Sequence, residues 1–389
     1  DRRQRQMCIR DSVETFLDSN GDGVGDLQGL AQRIDYLSQL GVTCLWLMPF
    51  YPSPDRDDGY DVSDFYGVDS RLGTHGDFVE VIRTARDRGM RVIVDLVINH
   101  TSDRHPWFLA AKRSVDSPYR DYYVWRDDAP PKGQKNEVFP GQANGIWGKD
   151  EKSGQWYQHS FYEHQPDLNI ANPRVRDEIA KIIGFWLQLG VSGFRVDAVP
   201  FLLEIPEGAG IPEPHDLLRD IRRFLQRRSS EAILLGEVNL PYDEQVQYFG
   251  GDDGDELTMQ FDFVGMQSLY LSFARKDPAP LIEALSMTVS PASLLPAVAG
   301  AEVREPWDIS SGATLGARPI IRAAMGILSL TNHKADSDVF SRVLRSHWVG
   351  GHAVEGAQRA LVDIWMRENN GLNMGGKDYL RALAACKTP

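Results

Sequence analysis

Two carboxylates at the ends of apolar segments carry the strongest chemical signal in this sequence. Gly193-Phe194-Arg195-Val196-Asp197 closes a hydrophobic run with an arginine two residues before an aspartate. Ala232-Ile233-Leu234-Leu235-Gly236 leads in the same way into Glu237. Arg195 is placed as a buried partner that keeps Asp197 ionised and aimed. Cleavage of a glycosidic bond with retention needs such a pair of acids, one as nucleophile and one as acid/base, about 5 Å apart. The plain alternative is a structural ion-pair network. The order in which further polar segments accompany these two strand ends disfavours it.

Three of those segments have chemistry of their own. Asp18-Ser19-Asn20-Gly21-Asp22-Gly23-Val24-Gly25-Asp26 sets oxygen-bearing side chains at alternate positions with glycines between them. Asp18, Asn20, Asp22, Asp26 and the Val24 carbonyl could converge on a hard cation such as calcium. It is no EF-hand, since no glutamate stands at the twelfth position; a bland reading is an acidic turn capping the next helix. Asp57-Asp58-Gly59-Tyr60-Asp61 is a polar turn that alone reads as surface. Asp95-Leu96-Val97-Ile98-Asn99-His100 gives a strand a polar tip, where His100 can hydrogen-bond a ligand hydroxyl and Asn99 can hold the loop.

The elements that position these residues alternate along the chain. Helical patterns over Leu27–Leu40, Phe78–Arg88, Val175–Leu189 and Leu217–Arg228 are interleaved with strand-like runs at Val42–Pro49, Arg91–Asn99, Val191–Asp197 and Ile233–Glu237. Leu257–Phe263 reads as a further strand and Gln267–Ala274 as a helix. Gly41, Gly89 and Gly190 stop helices. Repeated helix–glycine–strand units predict a parallel sheet. With the reactive residues at strand C-terminal ends, and no glycine-rich phosphate loop after the first strand, the α/β class expected is a (β/α)8 TIM barrel. Residues 101–168 break the periodicity and are rich in aromatics, including Trp107, Tyr122, Tyr123, Trp125, Trp147, Trp156 and Tyr157. So long a stretch predicts a small inserted domain after strand 3 rather than a loop. Its aromatics either stack on sugar rings or fill its own core.

Composition narrows the class. The 389 residues carry a net charge of −13, which argues against nucleic acid as a partner. Cys8, Cys44 and Cys386 show neither zinc spacing nor a disulfide framework, which leads us to expect a reducing cytoplasm, with Cys44 as core. No apolar run is long enough to span a membrane. No organic cofactor is expected, and the sequence leaves the oligomeric state open.

Taken in order, Asp95–His100, Gln165-Pro166-Asp167-Leu168-Asn169, Gly193–Asp197 and Gly236-Glu237-Val238 resemble the alpha-amylase family of glycoside hydrolases. The likeness is closest to the branch of trehalose synthase, oligo-1,6-glucosidase and α-glucosidase, and covers roughly residues 11 to 285. It implies a (β/α)8 barrel formed by residues 1–100 and 169–286, with residues 101–168 as the inserted domain. It implies Asp197 as nucleophile and Glu237 as general acid/base. Asp57, Tyr60, His100 and Arg195 would line the glucose pocket, and Asp18, Asn20, Asp22, Val24 and Asp26 would bind calcium. The substrate implied is a small α-glucoside or oligosaccharide, with water or a sugar as acceptor.

Two departures stand beside the likeness. Met7-Cys8-Ile9-Arg10 occupies the place of an aromatic-rich first strand, and residues 287–389 do not resemble the family. The family's third carboxylate, in an Asn-His-Asp segment, is answered only by Asn332-His333-Lys334. Helices are expected at Ile320–Leu330 and Glu355–Arg367, and none of Asp308, Asp336 or Asp338 is expected to replace the missing acid. The barrel is therefore expected to be incomplete after strand 6. The alternative reading is a catalytically impaired or vestigial sugar-binding barrel.

Overall fold

The computed structural model describes residues 8–130, 138, 145–204, 213–288, 335–336 and 373–374. Local signals explain most of its elements. Strand β1 (Cys8–Asp11) is followed by the short helix α1 (Val13–Phe16) and by α2 (Leu27–Gln39). Asp26 caps α2, its Oδ1 accepting from the Gly29 N–H at 2.6 Å, and the buried Leu27, Leu30, Ile34 and Leu37 form one helical face. Strand β2 (Cys44–Leu47) is buried at every position, as a parallel strand covered on both faces should be. Helix α3 (His75–Asp87) starts earlier than its apolar period suggests, because Thr74 and Asp77 form a capping box. Strand β3 (Arg91–Leu96) follows.

The segment between β3 and the next barrel strand has its own secondary structure. Helix α4 (Pro106–Arg113) precedes an antiparallel sheet of β4 (Trp125–Arg126), β5 (Trp147–Lys149) and β6 (Trp156–Gln158), in the order β4-β6-β5. Its aromatics pack on one another. Phe108 meets Tyr123 at 4.9 Å and Tyr157 at 5.0 Å between ring centroids, and the Arg120 guanidinium lies 3.2 Å over the Trp125 ring. Tyr122, Tyr123 and Tyr157 are buried, so these three fill the core of the insertion.

Helix α5 (Pro173–Gln188) begins at an Asn172 cap with Pro173 in its first turn. It buries Trp186, whose indole N–H donates to the Phe65 carbonyl at 2.9 Å and whose ring abuts Phe50 and Phe78. Then come β7 (Gly193–Val196), α6 (Val199–Leu202), α7 (Asp216–Arg228), β8 (Ile233–Gly236), α8 (Tyr242–Gln245) and β9 (Met259–Gln260). Helices α9 (Phe263–Arg275) and α10 (Ala279–Thr288) close this part of the chain.

The barrel strands form one six-stranded parallel sheet in the order β1-β2-β3-β7-β8-β9. Each strand neighbours the next one in the chain, with no reversal of order, which is the winding of a (β/α) barrel and not of a doubly wound sheet. Among the described residues β1 and β9 are the outer strands, as an incomplete barrel requires. The unpromising Cys8–Asp11 segment does form the first strand, paired in register with Cys44–Leu47. Strand pairing there is specified by the neighbouring buried strand, not by aromatic content. Gly193 has a sequence-fixed role, since a Cβ there would stand 2.2 Å from the Ile233 carbonyl oxygen of β8.

Backbone contacts divide the chain into Cys8–Pro306 and a second unit of Asp1–Met7 with Trp307–Pro389. The described part of the second unit is an antiparallel pair, β10 (Ala335–Asp336) with β11 (Asn373–Met374). The helices expected at Ile320–Leu330 and Glu355–Arg367, together with Asp308 and Asp338, lie outside the described residues.

Candidate active site

The C-terminal ends of β2, β3, β7 and β8 bring four of the charged and aromatic side chains of the sheet together around one guanidinium. Arg195 and Asp197, two apart on and just after β7, project to one face while Phe194 and Val196 project to the other. Strand register sets Asp95 of β3 directly beside Arg195. Asp95 Oδ1 accepts from Arg195 Nη1 at 2.6 Å, and Asp197 Oδ1 is bonded to the same nitrogen. Arg195 Nη2 lies 2.6 Å from Glu237 Oε2, which also accepts from the Ala198 N–H at 3.1 Å. Ala198 reaches that carboxylate from a left-handed backbone conformation, φ 47°. The two catalytic candidates thus share one cation.

The environments of the acids differ. The Asp197 side chain is 9% exposed and that of Glu237 32%, so the glutamate is the one open to exchange protons outside the cluster. Burial, together with the Asp197 charge, holds the Glu237 carboxyl above its ordinary range, against the opposing pull of Arg195. Glu237 Oε2 accepts from the Ala198 N–H and faces the Arg195 guanidinium, so the proton of its acid form belongs on Oε1. Burial works against the Arg195 charge, but Asp95 and Asp197 more than restore it.

Tyr60 and His100 join this cluster from the β2–α3 and β3–α4 connections. Tyr60 Oη accepts from Arg195 Nη1 at 3.4 Å, and its ring centroid lies 5.7 Å from the guanidinium carbon. His100 is buried and pushed down to about 4 by desolvation, so its imidazole is neutral. Its Nε2 faces the Tyr60 carbonyl at 3.3 Å and its Nδ1 faces the Asn99 amide nitrogen at 3.3 Å, which assigns the proton to Nε2. His100 therefore fixes the Tyr60 turn from below. Asp57 accepts from Gln165 Nε2 at 2.7 Å, and the Tyr60 N–H closes the turn on the Asp57 carbonyl at 2.8 Å.

Three residues of the site carry more than the sequence reading gave them. Asp95 is fully buried and holds Arg195; its Oδ2 accepts from the Trp46 indole N–H at 2.8 Å. Burial pushes its carboxyl up to about 7. Yet its partners Trp46 and Arg195 only donate, so the geometry is that of the ionised form. Trp46 also sits under Arg195, 5.2 Å from ring centroid to guanidinium carbon. Asp167 is buried and accepts from Asn99 Nδ2 at 3.2 Å and Ser160 Oγ at 2.7 Å, which pins the inserted segment to the end of β3. An acid within the apolar run Arg91–Ile98 was the available signal for Asp95.

The Asp18–Asp26 loop is wound by its own side chains. Asp18 accepts from the Asn20, Gly21 and Gly23 N–H groups at 3.1, 2.6 and 2.8 Å, Asn20 from Asp22 at 2.9 Å, and Asp22 from Val24 at 2.8 Å. These bonds, the Gly23 one foremost, hold the Asp18 carboxyl below its ordinary value. Asp26 is engaged on both oxygens, by Gly29 and by Ser19. Among the described residues no cluster of three or more His, Cys, Asp or Glu side chains converges as a metal site. The loop offers oxygen donors only, a set that suits a hard cation, with Asn20 and the Val24 carbonyl among them.

Residues 13–288 match the alpha amylase catalytic domain. The chain belongs to the alpha-amylase family. Its relatives include a trehalose synthase of Pimelobacter sp. (strain R48), 42% identical over 285 residues, covering 71% of this chain and 50% of that protein. A glucan 1,6-alpha-glucosidase of Streptococcus pneumoniae is 40% identical over 259 residues, covering 65% and 47%. An alpha-amylase structure from H. orenii superimposes with a TM-score of 0.64 at 32% identity, covering 73% and 57%. The chain spans about half the length of the curated relatives it matches. No helix among the described residues is long and apolar enough to cross a membrane.

Proposed function

We propose that this alpha-amylase family chain is a retaining enzyme of α-glucosidic bonds in small α-glucans, a hydrolase or a transglucosylase. The observation that carries the reading is the bridge of one buried guanidinium between Asp197 and Glu237. It holds a nucleophile and a proton donor on one face, the pair that a retaining double displacement uses. Glu237 gives its Oε1 proton to the glycosidic oxygen while Asp197 Oδ attacks the anomeric carbon. The C–O bond to the leaving sugar breaks and a glucosyl ester forms. The Glu237 carboxylate then takes a proton from water or an acceptor hydroxyl, whose oxygen attacks the anomeric carbon and releases Asp197. Two inversions give net retention. Tyr60 and Asp57 line the glucose side of this centre, and the buried His100 supports the Tyr60 turn behind them. The cytoplasm is the compartment we propose, supported by cysteines without a disulfide framework.

Incubation with maltose tests the reading. Glucose marks hydrolysis and trehalose marks isomerisation; unchanged maltose, with no release of 4-nitrophenol from its α-glucoside, counts against both.

We also propose that Asp18, Asn20, Asp22, Asp26 and the Val24 carbonyl hold a structural calcium ion, far in sequence from the bond-breaking carboxylates. Binding to the folded state alone stabilises by about 2.7 kcal/mol at a hundredfold excess over Kd. The melting temperature is expected to rise from chelator to excess calcium, and the Asp22→Asn variant to respond less. Superimposable melting curves would remove the proposal.

A further inference from the structure

We infer that Asp95 is a positioning residue: it holds the Arg195 guanidinium in line with Asp197 and Glu237 and governs how much of that positive charge acts on Glu237. This rests on the reading of Glu237 as the acid/base. Four neighbouring elements carry the argument. Trp46 on β2 donates its indole N–H to Asp95 Oδ2 at 2.8 Å, and Asp95 Oδ1 on β3 receives Arg195 Nη1 at 2.6 Å. Arg195 on β7 passes its other terminal nitrogen to Glu237, just beyond β8, at 2.6 Å. The Tyr51 hydroxyl donates to the Asp95 carbonyl at 2.6 Å and fixes the backbone beneath it. The Asp95 side chain is wholly buried, so it touches no substrate and acts only through Arg195.

Charge counting gives the consequence. One guanidinium faces three carboxylates, and the groups facing Glu237 are Arg195 and Asp197 from β7. Those facing Asp95 are Arg195, Asp197, Trp46 and Tyr51; Tyr60 faces Arg195. A charged Asp95 draws on the same cation and adds negative potential, and both effects help Glu237 keep its proton. Without that charge, Arg195 serves only Asp197 and Glu237, and Glu237 ionises more readily. A residue that merely fills space would leave the proton affinity of Glu237 where it is.

The experiment reads Glu237 in the resting protein. With glutamate carboxyls labelled with carbon-13, the resonance lost in Glu237→Gln identifies Glu237 and excludes every aspartate. In Asp95→Asn its titration midpoint is expected to fall by about one pH unit, the low end of a close charge effect. Trp46→Phe keeps a ring under Arg195 but removes the N–H that favours ionised Asp95, so its midpoint is expected to fall by less. Should Asp95→Asn fail to fold, Trp46→Phe decides. A midpoint that is unchanged or raised in the folded variants overturns the inference. Failure of the parent to act on maltose bears on the proposed reaction alone, since the titration needs no turnover.

Discussion

Asp197→Asn is expected to abolish the covalent glucosyl-enzyme and to lower turnover by a factor on the order of 10⁴ to 10⁶, the scale seen when a nucleophile is removed. A neutral amide oxygen lacks the negative charge and nucleophilicity to displace a leaving sugar from the anomeric carbon. The substitution preserves shape, and its carbonyl oxygen can still accept from Arg195, so the barrel should fold. It does remove the charge of one of the three carboxyl groups around the guanidinium. Glu237 then loses the neighbour whose charge helps hold it protonated. A fluorinated glucosyl fluoride that accumulates an adduct on the parent should leave the variant unmodified by mass spectrometry. An adduct on the variant, or retained turnover with retention of configuration, would exclude Asp197 as nucleophile.

The parts of this site legible in the sequence were those in which one short segment carries its own geometry. Arg195 and Asp197 lie two apart on a strand, so their pairing needs no tertiary knowledge. Gly41, Gly89 and Gly190 mark helix ends, and all three take positive φ. The apolar pattern overstates strand length, because hydrophobicity continues past the last ladder bond: it predicts Arg91–Asn99 where β3 ends at Leu96. Strand β1 escaped the reading because its pairing with β2 is a property of register between distant segments. Asp95 shows the same limit at the site. Its position inside an apolar run says that a buried acid needs a partner. Only the β3–β7 register says that the partner is Arg195, and only the β2–β3 register brings Trp46 to its other oxygen. The Asp18–Asp26 loop is visible in the sequence as a donor pattern, but the turns made by Asp18, Asn20 and Asp22 on their own backbone depend on a conformation that glycine spacing permits without dictating.

Glu237→Gln separates protonation from every other role of that side chain. Glutamine keeps an oxygen to accept from the Ala198 N–H and to face Arg195 Nη2, so the cluster should retain its shape. It cannot give a proton. With maltose, whose leaving group is a sugar alkoxide, the rate is expected to fall by about 10² to 10⁴, the usual worth of a positioned acid. With 4-nitrophenyl α-glucoside the phenolate leaves without help, so formation of the glucosyl-enzyme should be far less affected. Its later hydrolysis still lacks a base, and an added nucleophilic anion such as azide should restore that step. The pH dependence follows from the same group. Burial and Asp197 hold the Glu237 carboxyl above its ordinary value, so the acid form persists above the usual carboxylate range. Activity on maltose should fall as pH rises through that raised value, and this limb should vanish in the glutamine variant. Equal losses on the two substrates would remove Glu237 as the acid while leaving the nucleophile assignment to its own test. An unequal loss without azide rescue would restrict Glu237 to the first half of the reaction.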